Sequence, residues 1–150
     1  MVSISKDLEG TAHVGMGHTR WATHGVPSDR NSHPHLSNNG KIAIIHNGII
    51  ENYDTIKTML IEKGFTFASD TDTEVLVNLI QYVMDTQNVD FPTAVRYALN
   101  EVYGAYAITV MHKDHPGLLV VGRLGSPLAI GIGEDEYFVA SDASPFVEFT

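Results

Sequence analysis

The sequence contains no cysteine among its 150 residues. That absence excludes a disulfide scaffold, a thiolate metal site and a cysteine nucleophile within the chain. Basic residues are scarce as well. Nine Lys and Arg face 18 Asp and Glu, a net charge of −9, so the chain as a whole repels nucleic acid. The longest apolar runs, such as Ile42 to Ile45 and Leu118 to Val121, fall far below the ~20 residues a membrane-spanning helix needs. Met1 to Glu9 has neither the basic region nor the apolar stretch of a secretory signal, which makes the cytoplasm the default location. There is no repeat, no low-complexity tract and no linker-like composition.

What is present suits one globular domain: 43% hydrophobic and 18% charged residues, with a mean hydropathy close to zero. The segment from Gly15 to Asp54 is rich in His, Gly, Asn and Thr and holds one clear strand, Lys41 to Asn47. Its continuous apolar run predicts cover on both faces. Three helices follow. The first is expected over Tyr53 to Lys63, with Asn52 as N-cap, Ile56, Met59 and Leu60 as its apolar stripe, and Gly64 just past its end. The second starts at Thr71, which with Glu74 matches the S/T-x-x-E capping box. The third starts near Pro92 and buries Ala94, Val95, Ala98, Leu99 and Val102.

Strands are expected over Ala105 to Met111, Leu118 to Arg123, Leu128 to Ile132 and Tyr137 to Ala140, the last as part of a longer run from Glu136 to Ser141. Their short connections favour antiparallel neighbours. Phe146 to Thr150 reads as the start of another strand, and a chain cut at that point is the expectation. Helices in the middle with strands at the end indicate an α+β fold.

Five of the eight histidines lie between His18 and His46. His33-Pro34-His35 has the i, i+2 spacing that can bring two imidazoles together, but no nearby carboxylate or thiol completes a metal pattern. We therefore expect no metal and no cofactor, and read these rings as hydrogen-bonded to backbone. The Gly-x-Gly pieces at Gly15 and Gly131 lack the spacing of a phosphate cradle and suit close backbone approach or turns. Ser3, Ser28 and Ser141 stand in no nucleophile-elbow context.

Two segments do carry chemistry. Gly17-His18-Thr19-Arg20-Trp21-Ala22-Thr23-His24-Gly25 combines a guanidinium able to pair bidentately with a carboxylate, an aromatic ring and short polar groups. His46-Asn47-Gly48 places a carboxamide and a glycine N–H at a strand end, the parts of an oxyanion hole. Each has a plainer reading: Arg20 as a surface ion pair, Trp21 as a core filler, Asn47-Gly48 as a turn dipeptide.

Four ordered motifs decide between them. Gly17 to Gly25 with Pro27-Ser28, then Asn31-Ser32-His33-Pro34-His35, then His46 to Asn52, then Ser69-Asp70-Thr71-Asp72-Thr73-Glu74, together resemble the glutaminase domain of class II glutamine amidotransferases, in wording closest to the sugar-phosphate branch. Gly104-Ala105-Tyr106, Gly125 to Leu128 and Ala140-Ser141-Asp142 fit as well, so the resemblance covers Gly15 to Asp142. It implies an N-terminal-nucleophile hydrolase fold, a four-layer α/β/β/α sandwich of antiparallel sheets, here incomplete. It implies hydrolysis of glutamine to glutamate and ammonia, with the ammonia used to turn fructose 6-phosphate into glucosamine 6-phosphate. Arg20 would hold the α-carboxylate of glutamine with help from Thr23 and the backbone near His24. Asp72 would accept the α-ammonium, Trp21 would cover the ammonia route, and Asn47 and Gly48 would donate to the tetrahedral oxyanion. Asp72 also suits a helix start as a first-turn acid.

The family's chemistry uses a cysteine as the first residue of the mature chain, its thiolate as nucleophile and its α-amino group as base. Residues 1–150 are thus expected to be a partial glutamine amidotransferase type 2 domain, with the cysteine segment and a sugar isomerase domain lying outside. On that reading the chain is catalytically inactive and binds glutamine weakly or not at all. The full-length form is expected to be a homodimer. The alternative is a natural cysteine-free homologue that binds an amino acid or a partner and regulates.

Overall fold

The computed structural model describes residues 12–21 and 23–150; the reading of Met1 to Glu9 and the place of Ala22 lie outside the described residues. The order of elements is β1 (His35–Leu36), β2 (Ile42–Gly48), α1 (Tyr53–Glu62), α2 (Asp72–Gln87), α3 (Phe91–Glu101), β3 (Tyr106–His112), β4 (Leu119–Leu124), β5 (Ala129–Ile132) and β6 (Tyr137–Ala140). The first four strands form one antiparallel sheet in the order β1-β2-β3-β4, and β5 and β6 form a separate hairpin.

Register decides which residues face the helices. Ile42, Ile44 and His46 pair with His112, Val110 and Ile108 across β2 and β3, and all six are buried. The strand period of two sends them to one face, where the helices lie. Leu76, Val77, Ile80, Phe91, Val95 and Ala98 meet them there, each at most 1% exposed. Gly122 on β4 leaves room for the helix layer: a Cβ there would sit 2.8 Å from Leu99. The opposite face, Ala43, Ile45 and Asn47, is only half-covered. The continuous apolar run of β2 thus overstated its cover. Beyond that face lies the β5–β6 hairpin, whose Phe138 stacks on Phe146 at 5.8 Å. The described residues therefore build helices, sheet and second sheet, three of the four layers expected.

Helix ends follow local chemistry with one exception. Thr71 caps α2 by accepting from the Glu74 N–H at 3.2 Å, and Asp90 caps α3 by accepting from the Thr93 N–H at 2.8 Å. Gly64, at φ +92°, follows the C-cap of α1. Asn52 makes no capping bond. Its carboxamide instead donates to the Glu101 carbonyl at 2.9 Å and accepts from the Tyr103 N–H at 2.9 Å, tying the start of α1 to the end of α3. A long-range bond has displaced the local one. Phe146 to Thr150 is a second correction. It forms a single 3₁₀ turn over Val147–Phe149 rather than a strand, because Phe146 and Phe149 both turn in against Phe138. Gly131 permits that packing, since a Cβ there would lie 2.7 Å from the Phe146 ring.

Candidate active site

Arg20 sits in the left-handed region, at φ +49°. The turn lets the arginine's own side chain reach back to residues 24–26. Its guanidinium donates to the carbonyls of His24, of Gly25 at 3.1 Å and of Val26 at 3.3 Å. Three of its five N–H bonds are thereby engaged and two remain for a ligand. No carboxylate pairs with it among the described residues, so the surface ion-pair reading is replaced. Trp21 is 92% exposed and fills no core.

Asn47 and Gly48 end β2, and the ladder explains why they differ. The Ile49 N–H donates to the Ala105 carbonyl at 3.0 Å. Antiparallel pairs alternate between bonded and non-bonded, so Gly48, opposite Tyr106, points its N–H away from β3. The His46 N–H points the same way and donates to His33 Nδ1 at 3.3 Å. The Gly48 N–H has no partner among the described residues. Gly48 also requires its lack of a side chain: at φ +114° a Cβ would lie 2.1 Å from the Ala105 carbonyl oxygen. The turn-dipeptide reading fails here, since Asn47 and Gly48 are both strand residues.

Asp72 opens α2 and is 3% exposed. One carboxylate oxygen accepts from the Ile50 N–H at 2.7 Å. The other lies 3.7 Å from His24 Nδ1, a buried nitrogen without a hydrogen-bond partner among the described residues. Burial at a helix start satisfies the first-turn reading of Asp72 and still leaves one oxygen open.

These groups share one space. A cavity of about 220 Å³ is lined by Arg20, Trp21, Thr23, His24, Asn47, Gly48 and Asp72, with His18, His33, His46, Thr71 and Thr73 completing its wall. All seven residues singled out from the sequence border it. A larger space of about 420 Å³ between the two sheets adjoins it and shares His18, Arg20, Trp21, His46 and Asn47. The enclosure holds a cation, an anion and two outward donors, the complement a zwitterionic amide needs.

Three histidines at or beside it, His33, His35 and His46, are held toward the neutral form by burial. Burial pushes His33 down to about 3, with the neighbouring His18 ring adding to the effect. Burial also lowers His35 and His46, against the opposing pull of Glu74 on the first and Asp72 on the second. His33 stacks on His18 with ring centres 4.3 Å apart and meets His35 edge-on at 5.0 Å. His35 Nε2 meets the Thr71 hydroxyl at 2.9 Å and His46 Nδ1 meets the Thr73 hydroxyl at 2.9 Å, while His46 Nε2 is buried without a hydrogen-bond partner among the described residues. Thr73 and His18 carry weight here that no local sequence pattern announced. His46 was detectable, as the one polar residue in phase with Ile42 and Ile44 on a buried face.

These features stand in a chain whose sequence matches a known family, the glutamine amidotransferase domain. The chain belongs to that family, whose model matches residues 6–150. Among curated relatives it is 59% identical over 145 residues, 97% of the chain, to glutamine–fructose-6-phosphate aminotransferase (isomerizing) of Bacteroides thetaiotaomicron. It is 52% identical over 151 residues to the protein of that name from Chlorobaculum tepidum. The chain spans about a quarter of their length, 23% and 25% respectively. Among solved structures, the glutamine phosphoribosylpyrophosphate amidotransferase of B. subtilis superposes with a TM-score of 0.70 at 31% identity, covering 86% of this chain and 28% of that one. The fold is thus the N-terminal-nucleophile hydrolase type. Among the described residues no helix is long and apolar enough to cross a membrane.

Proposed function

We propose that the chain is the glutamine-binding part of an enzyme that releases ammonia from glutamine and transfers it to fructose 6-phosphate, giving glucosamine 6-phosphate and glutamate. The observation that carries this is the single cavity joining Arg20, Asp72 and the Asn47–Gly48 strand end, which come from three separate stretches of sequence. In this reading the two spare N–H bonds of Arg20 take the α-carboxylate, with Thr23 and the His24 backbone beside it. The open oxygen of Asp72 takes the α-ammonium. The amide carbonyl then lies against Asn47 and the Gly48 N–H, which strengthen their bonds as the oxygen gains charge. Trp21 covers the entrance. A sugar isomerase domain is the partner in the longer protein, which we take to be a homodimer.

Attack on the amide needs a thiolate, and these 150 residues hold none. Incubated with glutamine, the chain is expected to release ammonia at the uncatalysed rate; release above that rate would refute this assignment of chemistry. Binding is separable from turnover. Titration followed by NMR is expected to show weak glutamine binding, in about the millimolar range. Asp72→Asn retains an oxygen for the Ile50 N–H but loses the charge. It should weaken glutamine at least tenfold with the fold intact. Equal affinity of variant and wild type would remove Asp72 from the site.

A further inference from the structure

The orientation of a carboxamide decides whether it donates or accepts, and the hydrogen bonds around Asn47 settle that orientation. The Arg20 backbone N–H donates to His18 Nδ1 at 2.9 Å. A ring nitrogen that accepts carries no proton, so the proton of His18 is on Nε2. Nε2 lies 2.6 Å from the oxygen of the Asn47 side chain. A donor at that distance must face the oxygen, which leaves both amide hydrogens on the other branch. The ring itself is held. It stacks on His33 at 4.3 Å with planes 17° apart, and His33 is fixed by the His46 N–H at 3.3 Å and the Thr73 hydroxyl at 3.5 Å. The left-handed turn at Arg20 belongs to the same device, since it delivers that residue's N–H to the ring two positions earlier.

We propose that His18 is a positioning residue that turns the Asn47 carboxamide so that its NH₂, and not its oxygen, faces the cavity. The proposal rests on the glutamine reading above only for its consequence, because a reversed carboxamide would present an oxygen to the developing oxyanion. It extends that reading by making the oxyanion site depend on a residue that borders the ligand but acts through another. The chain from the Arg20 N–H through His18 to Asn47 also links the carboxylate-binding loop to the oxyanion site.

Two measurements test it. Long-range ¹H–¹⁵N NMR of the free chain is expected to show His18 protonated at Nε2 alone; a proton on Nδ1 would overturn the proposal without reference to any ligand. The second compares L-glutamine with L-norvaline, which has the same carbon chain and α-groups but no amide. His18→Phe should weaken glutamine about tenfold more than it weakens norvaline, whose smaller loss reports the missing Arg20 N–H acceptor, while the Asn47 side-chain NH₂ resonances move. His18→Gln, which keeps a donor, should restore most of the glutamine affinity. Equal losses for both ligands, or unmoved Asn47 resonances in His18→Phe, would overturn the proposal. If the wild-type chain binds neither amino acid, the glutamine reading fails and the NMR tautomer alone decides for or against His18.

Discussion

Gly48→Ala is expected to destabilise the fold by at least ~3 kcal/mol, enough to leave a domain of ordinary stability marginal. Two costs add. The residue holds φ +114°, a conformation that side chains rarely adopt. The new methyl would also lie 2.1 Å from the Ala105 carbonyl oxygen and 3.0 Å from the Ser126 hydroxyl. Neither is a flexible side-chain end in open space; the first is the backbone that accepts the Ile49 N–H. Relief requires parting β2 from β3 at their shared end, beside the proposed oxyanion site. Gly104 stands in the mirror position, at φ +121° with its Cβ site 2.1 Å from the Ile49 carbonyl oxygen, so Gly104→Ala should cost as much. Gly117→Ala is the control, since nothing lies within 4 Å of its Cβ site. Urea denaturation midpoints check all three. A Gly48→Ala midpoint equal to that of Gly117→Ala would show that the strand end yields freely.

Acid is expected to unfold the chain well before its carboxylates are fully protonated. His33 stays neutral in the fold down to about 3, against an ordinary value of 6.5, and His35, His46 and His112 are lowered by burial too. A histidine whose pKa falls on folding binds its proton more readily in the unfolded chain. Between about 6.5 and 3 the unfolded state therefore holds more protons, and stability rises with pH across that window. The groups facing these rings pull both ways: Arg20 and His18 add to the repulsion of a charged ring, while Asp72 and Glu74 oppose it. Asp70, lowered by its bond to Arg30, loses that bond only at lower pH. The thermal midpoint should hold steady above pH 7 and fall progressively below pH 6, and His33→Gln should flatten the fall. A midpoint unchanged from pH 7 to 4.5 would contradict the burial of this cluster.

Periodicity and caps made the helices readable. Leu76, Leu79, Ile80 and Val83 repeat at helical spacing and are buried as that spacing demands, and Thr71 caps α2 as its pattern predicts. Local reading failed where a distant partner offered more. Asn52 gave up its capping role for Glu101 and Tyr103, and the final residues coiled onto Phe138 rather than extending. The two-residue strand β1 was too short to show any alternation. The site follows the same division. Its residue types and order were readable as a resemblance, and the structure brings those residues to one cavity. The arginine's bonds to residues 24–26 and the contacts of His18 were not, because each depends on atoms brought together by the left-handed turn at Arg20.

The two oxygens of Asp72 have separate duties. One pins the N–H of Ile50, a fully buried residue, and so anchors the passage from β2 into α1; the other, on the proposed glutamine reading, is left to greet an incoming ammonium. Whatever loosens that passage also tilts the second oxygen, so mechanical slack at residue 50 would be read out as lost affinity some distance from any ligand contact.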